Sequence, residues 1–338
     1  MFMDNSCETL RRCLLRRFGV EIEVNSFDMR NRPLGYEVGR LPSGMHEVAS
    51  VVQSAARDRV YVQKWGSNHN NDTWILKPDS SCGMEICTPV CKGMAGVRSV
   101  CAVVDALGRD GRVSADDRCS LHVHVDVHDL SSDQIASIIA WWIKCEYAMS
   151  AIVPVGRRRN RYCQFISTSD IVMDIEDPML ESRDLISMVG EHKYLSMNTY
   201  HLHNRKRQTI EFRFMDSSAC LNYHEAKNYL KLVMLFVDVA IARGLPPSYR
   251  PGDRMTGYAW LDGTDVADML GLSGASISDG MSELAAWMRG RISGCENREE
   301  NGVFGLFFSK SVGWDDFVHA SHRDVEQSFS FSKDKFAF

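Results

Sequence analysis

Long apolar runs are missing from this chain of 338 residues. None reaches the roughly 18 residues that a membrane-spanning helix needs. A basic excess is missing as well: Lys and Arg number 39 against 44 Asp and Glu, giving a net charge of −5 and a pI near 6.1. That balance argues against general nucleic-acid binding, though it leaves room for a local basic patch. The eleven cysteines include no CxxC pair; Cys87 and Cys91 are four apart and the rest are scattered among apolar neighbours. Neither a disulfide framework nor a zinc knuckle is indicated, and reduced, mostly buried thiols in a cytoplasmic protein are the simpler reading. There is no internal repeat, no low-complexity tract, and no Ser-His-Asp or Cys-His arrangement that would suggest acyl-enzyme chemistry.

What is present is a soluble composition, 44% hydrophobic and 25% charged, long enough to bury one large core or two modest ones. Arg11, Arg12, Arg16 and Arg17 open the chain without the apolar core of a signal peptide, and Asp4 and Glu8 do not suit a transit peptide. The start therefore reads as a first helix leading into a strand at Phe18–Asn25. Extended pieces are expected at Val60–Trp65, Thr73–Lys77 and Met84–Thr88, the last stopped by Pro89, and again near 120–127, 192–200 and 208–215. Helical spacing marks Met45–Arg57, 94–109, a Ser-Ser-Asp start at Ser131–Asp133 running to Ile152, and Asn222–Arg243. Pro246, Pro247 and Pro251 mark a break, giving a catalytic-sized unit over 1–244 and an extension over 245–338. The extension holds a helical stretch near 265–292 and an aromatic-rich tail. Strands and helices in irregular order imply an α+β fold, an antiparallel or mixed sheet with helices packed on one face.

Three of the strands carry an unusual alternation: Gly19-Val20-Glu21-Ile22-Glu23-Val24, Leu121-His122-Val123-His124-Val125-Asp126 and Ile210-Glu211-Phe212-Arg213-Phe214. Residues two apart in a strand share a face, with Cα atoms about 6.7 Å apart. Each strand therefore has one apolar face and one that presents carboxylate, imidazole or guanidinium groups. Glu21 and Glu23 repel one another unless solvated or bridged by cations, so they mark either a solvent-facing edge strand or a cation site. Glu85, set among Met84, Ile86 and Cys87, needs a partner and is the better ligand candidate than Asp79, which Asp-Ser-Ser turn chemistry explains. His122 and His124 form an H-x-H pair able to chelate a metal from one strand face, or an exposed pair that binds none. Glu211 beside Arg213 reads as a metal-type and a phosphate-type residue together, or as an ion pair on a wet face. Arg157, Arg158, Arg159 and Arg161 occupy a loop that is solvated, touches RNA, or clamps a polyphosphate. Lys193 and Asn198 are further candidates for phosphate and substrate contacts. Taken together, oxygen ligands and arginines select hard ions such as Mg²⁺ or Mn²⁺ and phosphate, which points to nucleoside-triphosphate chemistry.

The ordered set Phe-Gly-Val-Glu-Ile-Glu (18–23), Lys-Pro-Asp-Ser-Ser through Gly-Met-Glu-Ile-Cys-Thr-Pro-Val (77–90), Cys-Ser-Leu-His-Val-His-Val-Asp (119–126), Arg-Arg-Arg-Asn-Arg-Tyr-Cys (157–163) and Thr-Ile-Glu-Phe-Arg-Phe (209–214) resembles the amidoligase family. That family belongs with the carboxylate–amine ligases of the glutamine synthetase and glutamate–cysteine ligase fold. The resemblance spans roughly 18–240. It implies a curved sheet with helices on the convex face, whose concave face holds Mg²⁺ and ATP. It further implies an ATP-dependent ligase that joins a carboxylate substrate to an amine substrate through an acyl phosphate. Carried over, Glu21, Glu23, Glu85 and Glu211 are metal ligands, His122 or His124 touches metal or phosphate, and Arg213 with an arginine of 157–161 holds the γ-phosphate. The acid and amine could belong to an amino acid, a polyamine, a peptide or a protein, and relatives by fold commonly form oligomers.

Two rival readings stand beside this one. H-x-H on a strand is half the motif of a cupin-like metal oxygenase, although Val127 and His128 stand where its Glu is expected. A non-catalytic RNA- or protein-binding module would instead use the 157–161 arginines, against the overall acidity.

Overall fold

In a computed structural model that describes residues 12–26, 44–64, 72–79, 81–158, 160–166, 181–204, 207–246, 263–272 and 279–296, the sheet is built around one long strand, β1 (Arg17–Ser26). The others are β2 (Val60–Val62), β3 (Trp74–Asp79), β4 (Gly83–Cys87), β5 (Cys91–Lys92), β6 (Val113–Ser114), β7 (Leu121–Asp126), β8 (Met197–Asn198) and β9 (Thr209–Phe212). They form one nine-stranded sheet in the order β2-β3-β4-β1-β7-β9-β8, with β5 and β6 pairing the two ends of β1. Among these strands only β2 and β3 run parallel; the other pairs are antiparallel, so the expected mixed sheet is what forms. Such a single open sheet is not the double-sheet jelly roll of a cupin, and the oxygenase reading falls with it.

Local chemistry explains where strands stop. Pro89 has no N–H to give to a ladder, and β4 ends just before it. Thr88 completes the pairing instead: its N–H donates to the Val20 carbonyl at 3.0 Å and its Oγ1 accepts from Val20 N at 2.9 Å. The β3–β4 hairpin turns on Asp79, whose Oδ1 accepts from Ser81 N at 2.7 Å, and on Gly83 at φ 109°, where a side chain would be strained.

One face of the sheet is apolar. Val20, Ile22, Val24, Val123, Val125 and Phe212 on that face belong to a single hydrophobic cluster with the helices. The helices are α1 (Met45–Ala56), α2 (Gly93–Arg109), α3 (Ser132–Ser150), α4 (Val155–Arg158), α5 (Ser182–Glu191), α6 (Tyr200–His203), α7 (Ser218–Leu221), α8 (Tyr223–Arg243), α9 (Gly263–Met269) and α10 (Asp279–Glu296). α3 starts with a capping box between Ser131 and Gln134, and α8 starts where Asn222 Oδ1 accepts from His224 N. Trp142 of α3 packs edge-on against Phe212 and Phe236, and its indole N–H donates to Ser196 Oγ at 2.9 Å. Ser196 in turn bonds the buried Glu146 and accepts from Arg213 N at 2.7 Å. This network fixes the chain at β8 and the end of β9 from below.

Several segments differ from expectation. The stretch 192–200 is extended only around β8, because α5 and α6 occupy its flanks. The helix expected over 265–292 is two helices, α9 and α10. Both contribute to the shared core, through Val266, Leu270, Leu284 and Met288 among others, and Arg291 ties α10 to Asp216 at 2.9 Å. Most of the expected first helix, Trp65, Arg159, Pro247, Pro251 and the aromatic-rich tail lie outside the described residues.

Candidate active site

Strand register assembles the polar face. β1 against β4 sets Glu23 opposite Glu85 and Glu21 opposite Cys87, while β1 against β7 sets Glu21 opposite His122. β3 adds Lys77 opposite Glu85. On the other side β9 places Glu211 opposite His124, and β8 places Asn198 opposite Glu211. The result is three rows across one face: Lys77–Glu85–Glu23, Cys87–Glu21–His122 and His124–Glu211–Asn198. The edge-strand alternative for Glu21 and Glu23 is therefore corrected, since β1 lies mid-sheet. The wet-face alternative is corrected too: Glu23, Glu85, His122, His124, Glu211 and Arg213 are all between 2% and 8% exposed.

Buried charges need partners, and these have them. Lys77 Nζ is 2.8 Å from Glu85 Oε1, and Arg213 Nη1 is bonded to Glu211 Oε1. Asn198 Nδ2 donates to Glu211 Oε2 at 3.1 Å. His122 lies among three carboxylates: Nδ1 is 3.4 Å from Glu21 Oε2 and 3.5 Å from Glu211 Oε1, and Nε2 is 3.8 Å from Glu23 Oε2. Ser120 Oγ bridges His122 and Glu23, donating to the Glu23 carboxylate at 3.0 Å.

These contacts pull the titrations apart. Burial would raise Glu21, but the charge of His124, the close approach of the His122 and His124 rings, and Lys77 hold it well below the usual carboxylate range. Glu211, also pushed up by burial, is brought down to about 2 by Arg213, His124 and His122. Glu85 moves the other way, to about 7, because burial and the Glu21 charge outweigh Lys77. Burial lowers His124, but Glu21 and Glu211 more than restore it. Burial and then the His124 charge drop His201 to about 4. The Cys87 thiol, 2.9 Å from Glu85 Oε1, is driven well up by burial and by Glu85.

The donor set fits divalent cations. Glu21, His122 and Glu211 bring one ligand atom each within 4.8 Å of one another, as do Glu21, Glu85 and Cys87. Carboxylate oxygens in that density suit Mg²⁺ or Mn²⁺. Arg213 keeps a buried Nε with no hydrogen bond, a donor suited to an anion.

The arginine segment behaves differently from a solvated loop. Arg157 is buried in α4 and its Nη2 donates to the Arg213 carbonyl at 2.5 Å, so it braces Arg213 from behind. Arg158 Nε donates to the carbonyls of Ser150 at 2.8 Å and Val153 at 3.0 Å, closing the end of α3. Arg161 is exposed and holds the Tyr162 hydroxyl at 2.6 Å. Of the arginines expected to grip phosphate, Arg157 and Arg213 sit together, while Arg158 and Arg161 are engaged elsewhere. Among the described residues, Arg157, Arg158 and Arg161 therefore form no continuous basic patch. Lys193 contributes its carbonyl, which accepts from Asn198 Nδ2 at 3.1 Å, while its ammonium group lies over the Tyr194 ring.

Sequence reading missed five members of the cluster, Cys87 among them. Lys77 and Ser120 stand at the correct strand parity and could have been found by extending the alternation. Arg207, 4.0 Å from Glu21 Oε1, and His201 come from segments whose placement no periodicity predicts.

The sheet thus buries carboxylate, imidazole and guanidinium groups together on one face, an arrangement that clusters at functional sites. The family model described as "Putative amidoligase enzyme" matches residues 15–237, and the chain belongs to that amidoligase family. Among solved structures, the chain is similar to a bifunctional glutathione synthetase from Pasteurella multocida, with 11% identity and a TM-score of 0.41, covering 87% of this chain and 49% of that one. It thus spans about half the length of that relative. It is also similar to a novel glutamine synthase homolog, with 11% identity and a TM-score of 0.44, covering 88% of this chain and 73% of that one. Among curated proteins none matches. Among the described residues no helix is long and apolar enough to cross a membrane.

Proposed function

We propose that the polar face is the catalytic surface of an ATP- and Mg²⁺-dependent carboxylate–amine ligase that forms an amide or isopeptide bond through an acyl phosphate. Family membership supports the ligase class. The observation that carries the rest is the convergence of Glu21, Glu23, Glu85, Glu211, His122, His124 and Arg213 on one buried face.

In this reading Glu21, Glu23, Glu85 and Glu211 hold Mg²⁺, with His122 or His124 beside them. Bound Mg²⁺ supplies charge neutralisation at the phosphate oxygens. Arg213, braced by Arg157, holds the γ-phosphoryl group. The substrate carboxylate oxygen bonds to the γ-phosphorus as the bond to ADP breaks. The amine nitrogen then bonds to the acyl carbon, inorganic phosphate leaves, and the amine proton passes to a carboxylate or imidazole of the face. Preorganised charge in a site of low water content is what such a transfer needs. The acid and amine are drawn from amino acids, polyamines, peptides or proteins. The cysteines with described side chains are buried thiols, which suits a reducing cytoplasm.

Calorimetry of ATP binding with Mg²⁺ and with EDTA, on the wild type and Glu211→Gln, tests this without knowledge of the acid or amine. Mg²⁺-dependent binding that the variant loses is expected, followed by ADP release with a suitable acid–amine pair. A folded wild type that binds no ATP under either condition would sink the proposal.

A further inference from the structure

The glutamate rows leave His124 unexplained. It is 5% exposed, yet among the described residues neither of its ring nitrogens finds a hydrogen-bond partner. Nε2 is 3.2 Å from Glu21 Oε1 and 3.9 Å from Glu211 Oε1, but without the alignment of a bond. Leaving buried polar atoms unsatisfied is unfavourable, and native proteins rarely do it without a reason. A second imidazole nearby shows the same pattern. His201 has a buried Nδ1 with no hydrogen bond, and its ring centroid is 5.3 Å from that of His124, tilted by 55°. One ring nitrogen from each histidine and one Glu211 oxygen lie within 4.8 Å of one another.

His201 is held where it is by several contacts. Its helix α6 follows Asn198, whose Oδ1 accepts from Tyr200 N at 3.0 Å while its Nδ2 donates to Glu211. One asparagine thus sets both the carboxylate and the start of the segment carrying the imidazole. α6 is seated on α5 at Gly190, where a Cβ would come within 2.4 Å of His203 Cβ.

We propose that His124, His201 and Glu211 form a site for a divalent first-row transition ion such as Mn²⁺, Co²⁺ or Zn²⁺, different in donor type from the carboxylate sites around Glu21 and Glu85. Imidazole nitrogens favour these ions, whereas Mg²⁺ prefers oxygen. Glu211 is shared, so it joins the nitrogen-rich site to the oxygen-rich one. The inference rests on the metal-binding part of the reading above and not on its ligase chemistry.

The test is titration of Co²⁺ into metal-free, full-length protein held in excess Mg²⁺, followed by visible absorption. One Mg²⁺-resistant equivalent of Co²⁺ is expected, weakened in His201→Ala by at least the roughly 10- to 100-fold that loss of an outer-shell partner costs and unchanged in His203→Ala. Gly190→Ala, which displaces α6, should weaken it less. Should His201→Ala fold poorly, pulsed EPR of Mn²⁺ on the wild type reads the same question, with two imidazole nitrogens expected. Co²⁺ that Mg²⁺ displaces completely, affinity unchanged in a folded His201→Ala, or fewer than two coupled nitrogens overturns the site. Absence of ATP binding with the Co²⁺ site intact would refute the ligase reading alone.

Discussion

The strands β1, β7 and β9 show the same backbone ladder two very different surfaces. On one side Val20, Ile22, Val123, Val125 and Phe212 pack into the helices, where each buried aliphatic or aromatic side chain stabilises the fold by about 1.5–3 kcal/mol. On the other, Glu23, His122, His124 and Glu211 sit almost as deeply buried beside a half-buried Glu21, where removing charge from water opposes folding unless partners and cations offset it. Burial alone therefore does not separate core from site. The first face supplies the stability that lets the second hold charges in a fixed, poorly hydrated arrangement.

The contrast can be broken from either side. The largest effect is expected on the polar face: Glu211→Gln should lower ligase turnover on the order of 10²-fold or more while circular dichroism stays native. Turnover near wild type would move Glu211 out of the chemistry. Next comes the apolar face, where Ile22, fully buried, becomes Ala with a loss of about 2–5 kcal/mol in urea unfolding. Metal binding per folded molecule should survive that change; if it falls in parallel, the two faces are not separable. Smaller again is cation linkage. Mg²⁺ at about 100 times its dissociation constant should add about 2.7 kcal/mol of stability, retained in Ile22→Ala and absent from a Glu21→Gln, Glu85→Gln double variant. Equal stabilisation in all three would mean that the cation binds elsewhere.

The smallest effect belongs to an ion cluster in partial contact with water. Glu283 of α10 meets Lys227 at 2.7 Å and Lys231 at 2.9 Å. Burial raises its carboxyl, but bonds from both lysines together outweigh it and hold it below the usual range. A carboxyl lowered on folding stabilises fully above its unfolded value and loses that contribution as pH falls through the folded one. Solvent screening keeps the contribution under about 1 kcal/mol, so Glu283→Gln should differ from wild type only slightly at pH 7 and by progressively less as pH falls through the lowered range of Glu283. A gap that widens on acidification would contradict the assignment.

Much of the site was legible because a strand has a period of two. Glu21, Glu23, His122, His124, Glu211 and Arg213 declared their shared face within their own segments, and Glu85 announced its need for a partner among apolar neighbours. Asn198 and Lys193 were read as candidates, yet the first acts by orienting Glu211 and the second through its carbonyl. Arg157 and Arg158 are adjacent in sequence but turn to different tasks, because α4 points one toward the back of Arg213 and the other toward the end of α3. His201 was invisible for the same kind of reason: its alternation with His203 falls on a helical turn, where residues two apart do not share a face.

The sequence by itself determined which residues face together within each strand, where Pro89 and the capping residues interrupt elements, and that carboxylates, imidazoles and an arginine would meet an apolar reverse side. Local sterics and periodicity dictate those features, and they act over a few residues. The tertiary structure decided the order β4-β1-β7-β9 and its registers. With them it decided that Glu23 meets Glu85, that Glu211 lies between His124 and Asn198, and that the charged face is buried. Those choices depend on which apolar surfaces pack best across the whole chain, an interaction that no local window of sequence contains.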